Sequence, residues 1–228
     1  MRLMAVGEGR ELDTQIERRL PPYVYSESMV GPDGAFLWYC IPKNASRSLL
    51  KMLRARSAKR ILDLAGGVDP RAWLESRPLP AFTFAFVRHP YERLTSAWRN
   101  ILAEPASQRA LPALFDRMPG LVAGISVDEF VSWLAANYGN GGIDKHWRRQ
   151  TDFICDEHGP CVDFVGRVES LRADLVAIEV RIGTLGRLAH KNRSTADAVA
   201  ATTPLSSRSR AIIQEIYRSD FEAFGFEA

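Results

Sequence analysis

Along this chain, apolar runs of strand length alternate with polar loops and with stretches whose apolar residues recur at helical spacing. Ala35 to Pro42, AFLWYCIP, is one such run, rich in aromatics and read as a strand. It follows the turn-like Gly31-Pro32-Asp33-Gly34 and stops at Pro42. A short polar loop, Lys43 to Arg47, leads into SLLKMLRARSAKRIL, where Leu49, Leu50 and Leu53 predict a helix. The second run, FTFAFVR (82–88), is apolar nearly throughout, as suits a strand buried on both faces of a parallel sheet. His89-Pro90 ends it, and YERLTSAWRNILAE follows as a helix with Leu94, Ala97, Trp98 and Ile101 on one side.

Further on, Val127, Phe130, Val131 and Leu134 mark another amphipathic helix. CVDFVGRVE reads as a third strand and SLRADLVAIEVRIG as its helix. The terminal RSRAIIQEIYRSDFEAFGF reads as a helix with Ile212, Ile213, Ile216, Tyr217 and Phe221 inward. Recurrence of strand, loop and helix predicts an α/β fold: one domain, a central parallel sheet flanked by helices, and a P-loop-like strand-loop-helix phosphate site. Residues 1–34, polar and proline-containing, read as an N-terminal arm, and residues 35–228 as the domain.

Composition agrees with a folded domain and adds one local feature. The 228 residues are 46% hydrophobic and 25% charged, which excludes disordered, collagen-like and coiled-coil classes. The net charge of +3 is too small to argue for nucleic acid. Yet Gly34 to Leu62 holds seven Lys or Arg and no acid, a local excess that suggests an anion site. Cys40, Cys155 and Cys161 cannot build a disulfide framework. Cys155 and Cys161 could close a small loop in an oxidising compartment, with reduced thiols the favoured reading. The start lacks the apolar core of a signal peptide, and no run approaches the roughly 20 apolar residues of a membrane helix. A soluble, cytoplasmic protein with no membrane span is expected.

Two loops carry the chemistry. Pro42-Lys43-Asn44-Ala45-Ser46-Arg47-Ser48 joins strand to helix and supplies a Lys, two hydroxyls, an Arg and free backbone N–H groups. Helix N-terminal amides and the macrodipole favour an anion there. The alternative is a plain turn with an N-cap serine and solvated bases. No G-x-x-x-x-G-K-[ST] is present, so a nucleoside triphosphate site of that type loses its main support. In the second loop, Arg88-His89-Pro90-Tyr91-Glu92-Arg93-Leu94-Thr95-Ser96, Arg88 stands at a strand's carboxyl end, where open α/β sheets collect ligands.

Taken together, these segments resemble the sulfotransferases that use 3′-phosphoadenosine 5′-phosphosulfate (PAPS), most closely the carbohydrate group called sulfotransferase family 2. IPKNASRSLLKML is similar to that family's 5′-phosphosulfate loop, P-K-x-[AG]-[ST]-[ST]-[ST]. FVRHPYERLTSAWRN is similar to its 3′-phosphate motif. KHWRRQ resembles H-W-x-P-Q, VDFVGRVESLRADL resembles D-F-[IV]-G-[RK]-x-E-x-L-x-x-D, and IYRSDFEAFGF resembles the closing Y-x-x-D-F-x-x-F-G-[YF]. The likeness runs in family order from about Phe36 to Phe226.

The resemblance implies PAPS as donor, the 3′,5′-bisphosphate nucleotide (PAP) as product, and no metal. It implies a catalytic Lys43 at the 5′-phosphate and at the oxygen that leaves sulfur. Ser46 and Ser48, with the amides from Asn44 through Ala45 and Arg47 to Ser48, would hold the 5′-phosphate, and Arg88 and Ser96 the 3′-phosphate. Lys191, Asn192, Arg193 and Ser194 resemble a late loop that closes over the nucleotide; an exposed basic loop is the alternative. Arg47 replaces a hydroxyl residue of many relatives and either clamps phosphate or points to solvent. His89 replaces an acid or amide and is expected to fix its loop.

An attacking hydroxyl needs a proton acceptor. No His lies between Lys51 and Val87, where Asp63, Asp69 and Glu75 are the acids. His146 in KHWRRQ is therefore the first choice, ahead of Asp63 and Asp69, against the alternative that His146 and Trp147 only shape an acceptor cleft. His158, beside Gly159-Pro160, reads as a turn residue. Trp38, Trp98 and Trp147 could line an acceptor groove, although core packing is the commoner fate of Trp. The implied acceptor is a hydroxyl, with carbohydrate favoured; lipid or small-molecule acceptors, an inactive nucleotide- or glycan-binding module, and a nucleotide kinase are the other readings.

Overall fold

In the computed structural model of the protein, which describes residues 10–11, 19–139, 143–186 and 205–228, the apolar runs assemble into a sheet. Its strands are β1 (Arg10–Glu11), β2 (Met29–Val30), β3 (Leu37–Tyr39), β4 (Lys59–Arg60), β5 (Thr83–Val87) and β8 (Phe164–Arg167). They lie in the order β1-β8-β5-β3-β2-β4. The three strands read from apolar runs, β3, β5 and β8, pair in parallel. Antiparallel strands extend them at both edges, so the sheet is mixed around the expected parallel centre. The chain is an α/β domain, and its described residues fall into two compact units: those of Met1–Arg88 with Gln150–His190, and those of His89–Arg149 with Lys191–Ala228.

The first unit holds the sheet. Phe84 and Phe86, two apart and so on one face, pack with Phe36, Trp38, Leu49, Leu53, Leu175 and Ile178. The last four come from helix α1 (Ser46–Arg54) and the Leu171–Ile182 helix, which cover the sheet as the helical spacing predicts. Gly166 of β8 is bare for a reason: a Cβ there would come within 2.5 Å of the Phe86 ring. The helix expected to run on from Ser48 stops at Arg54. Ser57 turns left-handed (φ 60°), Ala58 N donates to Leu53 O at 3.2 Å, and Lys59–Arg60 pairs with β2 instead. Such a left-handed residue is a common way to end a helix.

A hairpin of β6 (Cys155–Asp156) and β7 (Gly159–Pro160) settles the cysteines. Cys155 stands opposite Pro160, and Cys161 N bonds to Ile154 O at 2.7 Å. The two thiols are thus one register step apart, on opposite faces of the ribbon, and they form no disulfide with each other.

The second unit is helical. The Pro90–Ile101, Val127–Asn137 and Ser207–Ile216 helices enclose Leu94, Ala97, Ile101, Phe130, Val131, Leu134, Ile213 and Tyr217. A capping box of Ser126 and Glu129 starts the Val127–Asn137 helix. The predicted C-terminal helix is two, Ser207–Ile216 and Arg218–Phe224, broken where Tyr217 leaves helical geometry (φ −104°, ψ 22°). Of its inward set, Ile213, Tyr217 and Phe221 are buried, while Ile212 and Ile216 are partly buried against the same core. No helix among the described residues is long and apolar enough to cross a membrane.

Candidate functional site

The turn out of β3 is built by an unusual backbone. Lys43 and Ala45 both take left-handed conformations (φ 74° and 56°) without being glycine, a strain of about 1–3 kcal/mol each that clusters at functional sites. Left-handed residues alternating with ordinary ones draw successive N–H groups into a concavity that suits an anion. The loop opens directly onto α1, whose first turn receives no side-chain cap and holds no acid, leaving its orphan amides to an external acceptor. Asn44 N turns inward to Ile41 O and Ser48 N to Ala45 O, which narrows the expected amide set to Ala45, Ser46 and Arg47. Lys43, Ser46 and Ser48 are half-buried and Arg47 is exposed. Neither serine hydroxyl is engaged by another described residue, so both are open to a ligand.

Asn44 is set apart from this surface. Its side chain is buried, and Nδ2 donates to Phe86 O at 2.8 Å and to Gln150 Oε1 at 2.7 Å. Gln150 Oε1 also accepts from Arg88 N at 2.9 Å, and Gln150 Nε2 donates to Arg88 O at 2.8 Å. The parallel pairing of β3 with β5 brings their carboxyl ends side by side, and this amide network ties the Lys43–Ser48 loop to Arg88 beyond the last rungs. The Arg88 side chain is half-buried.

In the second unit, His146 has a partner that sequence reasoning missed. Asp144 Oδ1 lies 2.6 Å from His146 Nδ1 and accepts from His146 N at 2.9 Å. Burial pushes the Asp144 carboxyl up, but the hydrogen bonds and charge from His146 outweigh it and hold it below the usual 3.8. A carboxylate at Nδ1 selects the tautomer with its proton there, which leaves Nε2 as the proton acceptor. The backbone around the ring is fixed as well. Fully buried Arg93 donates to Arg148 O at 2.7 Å and Lys145 O at 3.4 Å, and the Tyr217 hydroxyl donates to Trp147 O. The signal for Asp144 was the acid two positions before the histidine; Arg93 and Tyr217 had none beyond their motifs.

The remaining expectations divide. Asp63 pairs with Arg60 at 2.8 Å, Asp69 caps the Pro70–Glu75 helix, and Glu75 pairs with Arg71 at 3.1 Å, so each of these acids has a structural duty. Trp38 and Trp147 are core residues, and only Trp98 is partly exposed; the first two line no groove. His89 packs against Tyr91, Phe221 and Phe226, with Nε2 3.0 Å from Glu227 O, which fixes its turn. Ser96 is half-buried on the Pro90–Ile101 helix. Lys191 and Arg193 lie outside the described residues. Among the described residues, no group of three or more His, Cys, Asp or Glu is placed to hold a metal ion.

Comparison with known proteins fits this arrangement. A profile of the sulfotransferase family matches residues 26–227, and the chain belongs to that family. It is similar to carbohydrate sulfotransferase 8 of mouse (Mus musculus), 33% identical over 103 residues that cover 39% of this chain and 24% of that protein. The human protein (Homo sapiens) of the same name is also 33% identical over 103 residues, covering 39% of this chain and 23% of its own. The chain thus matches about a quarter of the length of these relatives. No solved structure matches it significantly.

Proposed function

We propose that this protein transfers a sulfonyl group from PAPS to an acceptor hydroxyl, with carbohydrate as the acceptor class. The observation that carries the reading is the strained, uncapped loop at Lys43–Ser48, lying within the family match. The donor's chemistry is a sulfonyl group on a phosphate that departs as the bisphosphate. Amides of Ala45 to Arg47 and the hydroxyls of Ser46 and Ser48 bind the 5′-phosphate, and Arg88 the 3′-phosphate with its fork of donors. As the acceptor oxygen bonds to sulfur, the bond from sulfur to the phosphate oxygen breaks. Lys43 meets the charge that grows on that departing oxygen. His146 Nε2 takes the acceptor's proton while Asp144 steadies the imidazolium. Carbohydrate comes from the named activity of the mouse and human relatives.

The test is incubation of the whole chain with sulfur-labelled PAPS and a panel of sugars, lipids and small alcohols. Label moved to a sugar hydroxyl supports the proposal in full. Label moved only to another acceptor corrects the acceptor class, and nucleotide binding with no transfer to any acceptor makes the protein a binding module.

A further inference from the structure

Gln150 closes the segment that begins at His146, and its side chain is fully buried (0% exposed). Only an amide can do what it does: its oxygen accepts from both Asn44 Nδ2 and Arg88 N, and its nitrogen donates to Arg88 O. All three bonds, 2.7–2.9 Å long, have good geometry. Through Asn44 the hub reaches Phe86 O as well. Consequently the loop after β3 and the residue after β5 share one buried node, and a shift in either stretches bonds held by the other. Buried networks of this kind act cooperatively.

We propose that Gln150 is a positioning residue that couples the two phosphate-binding segments, so that filling the Lys43–Ser48 loop readies Arg88 for a second phosphate. This rests on the donor reading above. It goes beyond that reading because the preference for a 3′,5′-bisphosphate becomes a property of the hub as well as of the Arg88 guanidinium. A residue that merely kept the fold would weaken both nucleotides alike when replaced. A coupling residue weakens only the ligand that spans both segments.

Calorimetry of the whole chain with adenosine 3′,5′-bisphosphate and with adenosine 5′-phosphate tests this in wild type, Gln150→Glu and Gln150→Met. The expected result is a wild-type preference for the bisphosphate that falls about tenfold in both variants, the loss of one or two hydrogen bonds' worth of affinity. Affinity for the 5′-phosphate should stay within about threefold. A folded variant that keeps the wild-type preference overturns the coupling and leaves the donor reading standing. A wild type with no preference overturns the donor reading itself. Hydrogen exchange on the wild type covers the case in which neither variant folds. Saturating adenosine 5′-phosphate should slow exchange at the Arg88 amide, which Gln150 Oε1 accepts, and an unchanged rate at Arg88 overturns the coupling.

Discussion

The two strand-to-helix junctions, β3 into α1 and β5 into the Pro90–Ile101 helix, start from the same plan and diverge. Both helices begin without a side-chain cap. At the first, left-handed Lys43 and Ala45 bend the chain so that backbone amides form the surface. At the second, His89 is extended (φ −51°, ψ 128°) and Pro90 occupies the first helical turn, where proline removes one of the orphan N–H groups. On the proposed function, the first junction would therefore offer an anion its backbone, and the second chiefly the Arg88 side chain. A backbone site tolerates changes of side chain that keep its dihedrals; a guanidinium site does not.

Lys43→Ala should produce the largest effect. Loss of the group proposed to meet the leaving oxygen should cut turnover about a thousandfold, with thermal melting unchanged; unaltered turnover would remove Lys43 from the chemistry. His146→Ala comes next, at about a hundredfold in turnover. Arg88→Ala should weaken bisphosphate binding about ten- to thirtyfold and leave adenosine 5′-phosphate nearly untouched. Equal losses for both nucleotides would show that the two junctions do not divide the phosphates.

Asp144→Asn should lower turnover by about tenfold and alter the acid side of the stability profile. The folded carboxyl titrates below the 3.8 of a free aspartate. Its stabilisation is therefore complete above the unfolded value and lost as pH falls through the folded one. The stability gap between wild type and Asp144→Asn should accordingly hold above about pH 5 and narrow on acidification below the 3.8 of a free aspartate; a gap that widens on acidification contradicts the assigned partner. The smallest effects probe the first junction's backbone. Ala45→Gly should shift stability by less than about 1 kcal/mol, since relief of left-handed strain offsets the added chain entropy. Ala45→Val should cost about 1–3 kcal/mol.

The first junction was legible in the sequence because its residues are contiguous and flanked by a strand-length apolar run and a helical repeat. The parallel strands were legible because burial on both faces leaves uninterrupted apolar segments such as Phe82–Val87. The two-residue strands β2 and β4 were not, since two residues carry no period. Tertiary pairing overrode the apparent helix through Ser57. The Gln150 hub was equally hidden: its partners stand 62 and 106 positions away, and nothing in a glutamine's neighbours announces which backbone it will bind. Asp144 lay in plain view beside His146, yet only the fold shows its oxygen meeting the ring.

The proposed anion site, divided between a 5′-phosphate loop and a 3′-phosphate arginine, is addressed most directly by one titration. Adenosine 3′,5′-bisphosphate and adenosine 5′-diphosphate carry the same number of phosphates in different places. Calorimetry of the whole chain, run with and without magnesium, should give markedly tighter binding of the 3′,5′-bisphosphate that is indifferent to the metal. Equal or tighter binding of the diphosphate, dependent on magnesium, would contradict the division and return the chain to the kinase-like reading.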